Sequence, residues 1–296
     1  MNLSVSMITF QGAAYLKAQM DSILGQSIPV HEIIVCDDGS TDGTREILQD
    51  YAANYPQIQL YLNKKTLGTV ANMQQCLRLT SGDMLFLADQ DDVWEEDKVE
   101  KTIAFFEKNA GIDAVFSNAT LIDEAGKKTA HRYLWDIIGF PFSEVSLTEF
   151  IQRVDNVVTG AGLAIKRDDA FLLNDIPSLP GLLHDGWIGL YYASQNRLAA
   201  NPEKLFRYRI HAKQPVGGEM VEIEKIRAFN MALYDGIPVM KDFATWKSSM
   251  KRLYTNLDLP YMNKAKIQEQ IEIYAAYGKT YFQLRASLYL FVKAIS

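Results

Sequence analysis

Four carboxylates in two short stretches are the first residues whose types and spacing could do chemistry. Asp89, Asp91 and Asp92, in Asp89-Gln90-Asp91-Asp92, stand at the exit of the apolar run Met84-Leu-Phe-Leu-Ala88. Three acids so close repel one another, and something must offset that. Hard divalent cations such as Mn²⁺ or Mg²⁺ prefer carboxylate and phosphate oxygens, and take one or two protein carboxylates when a diphosphate supplies the remaining ligands. A metal-nucleotide site fits this pattern; the plainer alternative is a solvated acidic turn capping the helix that begins at Lys98. An EF-hand does not fit, because Val93 and Trp94 occupy positions that need a ligand and a glycine.

The fourth carboxylate is Asp38, in Asp37-Asp38-Gly39-Ser40-Thr41-Asp42. Gly39 can make a turn there, and Ser40, Thr41 and Asp42 can cap the helix starting near Thr44. A single carboxylate just past a buried strand can also accept the N3–H of a uracil or thymine ring, and Asp38 is the candidate. Farther on, Asp185 opens a helical stretch, either as a plain cap or as a proton acceptor where the dipole favours negative charge. His211 follows Arg207-Tyr208-Arg209, a setting suited to phosphate. His184 either orients a substrate or merely precedes the cap. Trp94 and Trp187, each beside one of these carboxylates, can stack on a sugar face or pack in the core. His31 and His131 read as surface residues.

These groups need elements that bring them together. Residues 1–115 alternate strand and helix signals: strands over 3–10, 33–36, 58–62, 84–88 and 114–116, helices over 14–24, 44–51, 69–79 and 98–108. This order predicts an α/β fold with a mostly parallel sheet covered by helices on both faces. Ligands of such sheets collect at the carboxyl ends of the strands. Thr9, the Asp37–Asp42 segment, Gly68 with Asn72, and the Asp89–Asp92 segment should therefore share one edge. Beyond about residue 120 the alternation loosens, with strands expected over 160–165 and 205–210 and a helix over 185–194. A boundary near Gly217-Gly218 separates a catalytic region, 1–217, from a helical region, 218–296.

With 296 residues, 48% of them hydrophobic and 22% charged, the chain has the composition of a globular protein. Its net charge of −6 speaks against sequence-independent nucleic-acid binding. Cys36 and Cys76 lie within apolar patterns and read as reduced, buried thiols. No apolar run approaches the ~20 residues of a membrane span, and no basic leader precedes the first strand, so a cytoplasmic compartment is expected. The last helical stretch, with Lys279, Arg285 and Lys293 among Tyr281, Leu284, Leu288, Phe291 and Ile295, can lie on an anionic membrane face. It can equally pack on the catalytic region or on another subunit.

Thr9-Phe-Gln-Gly12, Val35-Cys-Asp-Asp-Gly-Ser-Thr-Asp42, Leu87-Ala-Asp-Gln-Asp-Asp-Val-Trp94, Gly160-Ala-Gly-Leu-Ala164, His184-Asp-Gly-Trp187 and Tyr208-Arg-Ile-His211 occur in the order seen in family 2 glycosyltransferases. Over residues 1–217 the chain resembles a GT-A-fold enzyme of that family, and the Ala-Asp-Gln-Asp-Asp-Val-Trp and Tyr-Arg-x-His forms are most similar to its bacterial rhamnosyltransferase branch. The resemblance implies that Thr9 and Asp38 hold base and ribose, that Asp89 and Asp91 are the outer acids of a D-x-D-type motif, and that Asp91 is the metal ligand. Asp89 would contact the ribose, directly or through water. It further implies that His211 helps bind metal or diphosphate and that Asp185 is the base. Gly68 and Asn72 belong to the donor site, but the family's Ala-Arg-Asn is here Val70-Ala-Asn72, and Lys64 or Lys65 would have to replace the arginine.

The implied reaction is an inverting, metal-dependent transfer of a sugar, rhamnose from dTDP-rhamnose as first expectation and otherwise from a UDP-sugar, to a glycan hydroxyl in cell-surface polysaccharide or glycoconjugate synthesis. Acceptors in this family are often lipid-linked, which would place the chain at the inner face of the membrane. Three rivals stand beside it. Asp89-x-Asp91-x-Val93 matches the nucleophile motif of haloacid-dehalogenase phosphatases, though the lysine and Gly-Asp-x-x-x-Asp run they require are missing. A sugar-nucleotide pyrophosphorylase would need a glycine-rich basic loop near residue 9. A catalytically inactive nucleotide-sugar-binding module keeps every motif.

Overall fold

The computed structural model describes residues 1–138, 140, 142, 146–147, 151, 156–177 and 182–211. The boundary expected at 217–218 and the C-terminal helical stretches lie outside the described residues. The first half follows the periodicity of the sequence: β1 Leu3–Thr9, α1 Leu16–Leu24, β2 Glu32–Asp37, α2 Thr44–Asn54, β3 Ile58–Leu62, α3 Thr69–Leu79, β4 Met84–Ala88 and α4 Lys98–Lys108. Between β4 and α4 lies a two-residue strand, β5 Val93–Trp94. Then come β6 Ala114–Ile122, β7 Lys128–Tyr133, α5 Leu134–Ile138, β8 Leu163–Lys166, α6 Asp169–Leu173, α7 His184–Ser194 and β9 Leu198–Arg209.

The strands form one sheet in the order β3-β2-β1-β4-β8-β6-β9-β5, with β7 paired to β6. β3, β2, β1 and β4 are parallel neighbours, β8 runs antiparallel between β4 and β6, and β6 and β9 are again parallel. The chain runs from β1 outward to β3 and then returns to β1's other side with β4. The carboxyl ends of β1 and β4 therefore flank the point where strand order reverses, the usual crevice of an open α/β sheet.

Both faces of the central strands are buried, so their sequences read as continuous apolar runs and successive side chains serve opposite cores. Ile34, Cys36, Leu85 and Leu87 join Met73, Cys76 and Leu77 of α3 in one cluster. Val5, Met7, Ile33, Val35 and Phe86 join Leu16, Met20 and Ile23 of α1 and Leu48 of α2 in the other. Both cysteines are free and buried. No described helix is long and apolar enough to cross a membrane.

Two expectations need correction. Gly160–Gly162 is not strand but a turn of 3-10 helix leading into β8. A Cβ on Gly162 would stand 2.8 Å from the Ser117 carbonyl of β6, so this turn packs directly against a neighbouring backbone. β6 and β9 are also longer than their apolar cores, nine and twelve residues, because each pairs with the other along most of its length.

Candidate active site

The ends of β1 and β4 are tied by a reciprocal amide pair: Phe10 N–H donates to Gln90 Oε1 at 2.8 Å, and Gln90 Nε2 donates to the Phe10 carbonyl at 3.0 Å. The loops after β1 and β2 are laced in the same way, Gln11 exchanging side-chain hydrogen bonds with Thr41 and its amide donating to Ser40 Oγ. The sequence-predicted groups at four strand ends thus do share one edge.

Asp37 organises that edge, although only its neighbour was singled out from the sequence. Fully buried, it accepts from Thr9 Oγ1, Arg45 Nε at 2.7 Å, the amides of Gly39 and Ser40, and the Ser40 hydroxyl. Burial pushes its carboxyl up, but Ser40, Arg45 and Thr9 together hold it below the usual carboxylate value. Arg45 also donates to the Asn63 carbonyl. Thr9, a predicted donor contact, is therefore buried and committed to Asp37.

Asp38 accepts from Leu67 N–H and Gly68 N–H, each at 2.8 Å, and from Asn63 Nδ2 at 3.0 Å. Its carboxylate clasps the 63–68 loop onto the sheet, and the loop's Lys64 and Lys65 are exposed. Gly68, with φ +85°, adopts backbone that side chains disfavour and so lets two successive amides face one carboxylate. Asn72 is buried and donates to the Cys36 carbonyl while accepting from Asn63. It ties α3 to β2 rather than reaching into the crevice.

At the exit of β4, Asp91 Oδ2 lies 3.0 Å from His211 Nε2, a contact between residues 120 apart. The His211 ring in turn packs 5.2 Å from Tyr15 of the β1–α1 connection. Arg209 holds the acidic segment from behind, its amide donating to Asp92 Oδ1 and its Nε to the Asp91 carbonyl. Asp92 is fully buried, with Oδ2 lacking a hydrogen-bond partner. Burial and the charges of Asp91 and Asp89 push its carboxyl well up.

Asp89 shows how the site converges. Burial, then the negative charges of Asp91 and Asp185, push its carboxyl to about 7, with Lys98 opposing. Asp185 lies near the start of α7, where its Oδ2 accepts the Gly160 amide at 3.2 Å and its Oδ1 the Gly186 amide at 2.6 Å. Asn156, not anticipated from the sequence, lies 3.5 Å away and is fixed by two hydrogen bonds to Val158. Asp185 is not the cap; that position belongs to Leu183.

Lys98 was also missed. A lysine in the first turn of α4 is normally exposed, yet this one is 1% exposed, its Nζ donating to the Ala161 carbonyl at 2.7 Å. The ammonium sits 4.1 Å from the Trp94 ring centroid and 4.6 Å from that of Phe206. Burial pulls its pKa down to about 7 against the opposing pull of Asp92 and Asp89.

The tryptophan expectation needs correction. Trp94 is 3% exposed, packed on Phe86 and Lys98, and Trp187 belongs to the α3-side core, so neither offers a free face to a sugar. His184 is buried with both ring nitrogens unpartnered, and burial lowers its pKa despite Asp185. His131 lies in β7. His31 Nδ1 accepts from Leu3 N–H, a structural role.

The pair Asp91 and His211, 3.0 Å apart, has an oxygen and a nitrogen donor that would suit a divalent cation. Among the described residues no three His, Cys, Asp or Glu side chains come together as a metal site. The remaining ligands of such a cation would have to come from a substrate.

The sequence model of glycosyl transferase family 2 matches residues 4–169, from β1 through the start of α6. The chain belongs to that family. Among family relatives, EpsE of Bacillus subtilis (strain 168) is 36% identical over 129 residues, 43% of this chain and 46% of EpsE. The chain spans less than two thirds of the length of EpsE and of the other first curated relatives it matches. In solved structures the fold is that of TarS from S. aureus in complex with UDP-GlcNAc, with TM-score 0.57 at 14% identity over 98% of this chain and 90% of TarS 1–349. It is also that of the mannosyltransferase PcManGT from Pyrobaculum calidifontis in complex with GDP-Man and Mn²⁺, with TM-score 0.53 at 15% identity over 100% of this chain and 76% of that one. The family 2 chain thus has the expected α/β GT-A fold. The phosphatase reading of Asp89 falls with this membership, because the matched region includes Asp89 and its strand.

Proposed function

We propose that the protein is an inverting, metal-dependent glycosyltransferase that moves a sugar from a nucleoside diphosphate to a glycan hydroxyl, with dTDP-rhamnose as first candidate donor and a UDP-sugar as second. One observation carries the reading: His211 Nε2 lies 3.0 Å from Asp91 Oδ2 across 120 residues of sequence, beside Asp89, whose carboxyl is raised by burial and by the charges of Asp91 and Asp185. Isolated carboxylates would not be gathered so without a positive partner. The structural relatives in complex with UDP-GlcNAc, and with GDP-Man and Mn²⁺, support a nucleotide-sugar partner and a divalent ion.

In this reading Asp91 and His211 hold Mn²⁺ or Mg²⁺ while Asp89 contacts the ribose. The ion, when bound, neutralises charge that develops on the departing diphosphate. Asp185 takes the proton from the acceptor hydroxyl as that oxygen attacks the anomeric carbon in line, so one carboxylate suffices and no covalent sugar intermediate forms. The Gly160 and Gly186 amides orient that carboxylate. Asp38 and the 63–68 loop receive the nucleobase, with Gly68 shaping the loop, while Thr9 and Asn72 support that pocket from beneath. His184 lines the acceptor side. The region 1–217 would be the catalytic unit, and 218–296 would meet the membrane holding a lipid-linked acceptor, or another subunit, from the cytoplasmic side.

The experiment is nucleoside diphosphate release from dTDP-rhamnose and UDP-sugars with a glycan acceptor, with and without Mn²⁺, followed by NMR assignment of the product anomer. Metal-dependent release with inversion is expected. Retention of configuration, or release unaffected by chelation, would refute the assignment.

A further inference from the structure

We propose that Lys98 is a positioning residue that locks the donor-side carboxylates to the turn holding Asp185, through its charge on one side and its N–H on the other. This rests on the functional reading above. The burial of Lys98 is unusual on three counts. It places an ammonium in a site that is 1% exposed, in the first turn of a helix whose dipole repels a cation, and with a main-chain carbonyl as its hydrogen-bond acceptor.

Such an arrangement needs compensation, and the neighbours supply it. The rings of Trp94 and Phe206 present their faces at 4.1 and 4.6 Å. The charges that act on Lys98 most are those of Asp92 and Asp89. Asp92 is itself fully buried, with one oxygen unpartnered, in the acidic segment that leads into Trp94.

The other contact gives the lysine its reach. Ala161 is the middle residue of the Gly160–Gly162 turn, and the amide of Gly160 donates to Asp185 Oδ2. A single side chain therefore touches the turn that orients the proposed base and the ring of Trp94, two residues beyond the acidic segment of the proposed donor site. Trp94 has its place in the same arrangement, walling the ammonium from water rather than meeting a sugar. The geometry sets the two halves of the site in register, and in-line displacement depends on that register.

The test compares wild type, Lys98→Met, Asp92→Asn and the double variant by melting temperature, by calorimetric affinity for UDP and dTDP with Mn²⁺, and by kcat for the donor that wild type turns over. Lys98→Met should weaken Mn²⁺-nucleotide binding about 10-fold and lower kcat about 100-fold. Adding Asp92→Asn should bring affinity to within about 3-fold of Asp92→Asn alone, because the unbalanced charge is gone. It should leave kcat at least about 10-fold below Asp92→Asn alone, because the Ala161 carbonyl still lacks its donor. A merely structural lysine would instead let affinity and kcat recover together, overturning the inference.

Wild-type affinity and kcat in folded Lys98→Met would also overturn it. If Lys98→Met does not fold, the Asp92→Asn and double-variant pair decides by the same criteria. If the double variant also fails to fold, Lys98 is a folding residue and the inference fails. Should wild type bind neither nucleotide with Mn²⁺, the functional reading itself is what fails.

Discussion

The amide of Gly160 donates to Asp185 Oδ2 at 3.2 Å, joining the turn before β8 to the start of α7. The next residue of that turn, Ala161, accepts from the Lys98 ammonium at its carbonyl, and the charge of Asp185 raises the Asp89 carboxyl. The carboxylate of the proposed base is therefore held by the amides of two segments, Gly160 of the turn and Gly186 of α7.

Replacing Asp185 with Asn removes the proton acceptor and keeps its shape. Turnover should fall about 100- to 10,000-fold, with nucleotide affinity unchanged within experimental error. Steady-state kinetics and calorimetry on one preparation check both halves. Unchanged turnover would assign the base elsewhere; wild-type protein that binds nucleotide but never turns it over would be a binding module.

Gly160→Ala places a Cβ 2.9 Å from His184 Nε2 and 3.6 Å from Asp185 Cβ. Because the imidazole is buried, something on this side must shift. We expect kcat to fall about 10- to 100-fold with little change in nucleotide affinity. An equal loss in both would show that the turn serves the fold rather than the base.

His184 makes stability depend on pH. Burial lowers its folded pKa below the ordinary 6.5, so as pH falls through that value the unfolded chain takes up a proton that the folded one refuses. Stability should therefore rise with pH up to about 6.5 and carry no His184 contribution to the slope above about 7.5. Denaturant melts of wild type and His184→Gln between pH 5 and 8 isolate this contribution, since other groups cancel in the difference. A pH-independent difference would contradict it.

Asp37→Ala leaves Arg45 without its carboxylate and leaves two amides and two hydroxyls without an acceptor. Asp37 is buried while the Arg45 side chain is 32% exposed, so the loss, dominated by the buried groups left without an acceptor, should cost about 1 to 3 kcal/mol. Since the folded carboxyl is depressed, its stabilisation is complete above the ordinary 3.8 and lost as pH falls through the folded value. Urea unfolding at pH 7 and pH 3 should thus show a wide gap between wild type and variant at the higher pH and a narrower one at the lower.

The first half of the fold was legible because its strands are buried on both faces and its helices carry one apolar stripe: 58–62, 69–79, 84–88 and 98–108 keep the boundaries expected of them. Only the apolar end of β9 is legible because Pro202, Glu203 and Lys204 are exposed within it; Pro202 and Glu203 fall at a shift in the register with β6, and pairing on either side carries the strand through. Nothing local distinguishes Gly160–Gly162 as a turn, since what fixes it is the close approach of β6. The acids of the site were visible as types at strand ends. Which of Asp37 and Asp38 would pair with a cation, and that Lys98 would turn inward, depend on partners such as Arg45 and Ala161 brought together by the fold.

The most direct test of the central claim, that Asp91 and His211 help build one nucleotide-diphosphate and cation site, is a thermal-shift panel of UDP-, dTDP- and GDP-sugars with and without Mn²⁺. A ligand at 100 times its Kd adds about 2.7 kcal/mol to the folded state, enough to raise Tm by a few degrees. The account predicts such a rise for at least one nucleotide sugar, strengthened by Mn²⁺ and abolished in Asp91→Asn and His211→Ala. No shift with any nucleotide under either condition, or the same metal-dependent shift in both variants, would contradict it.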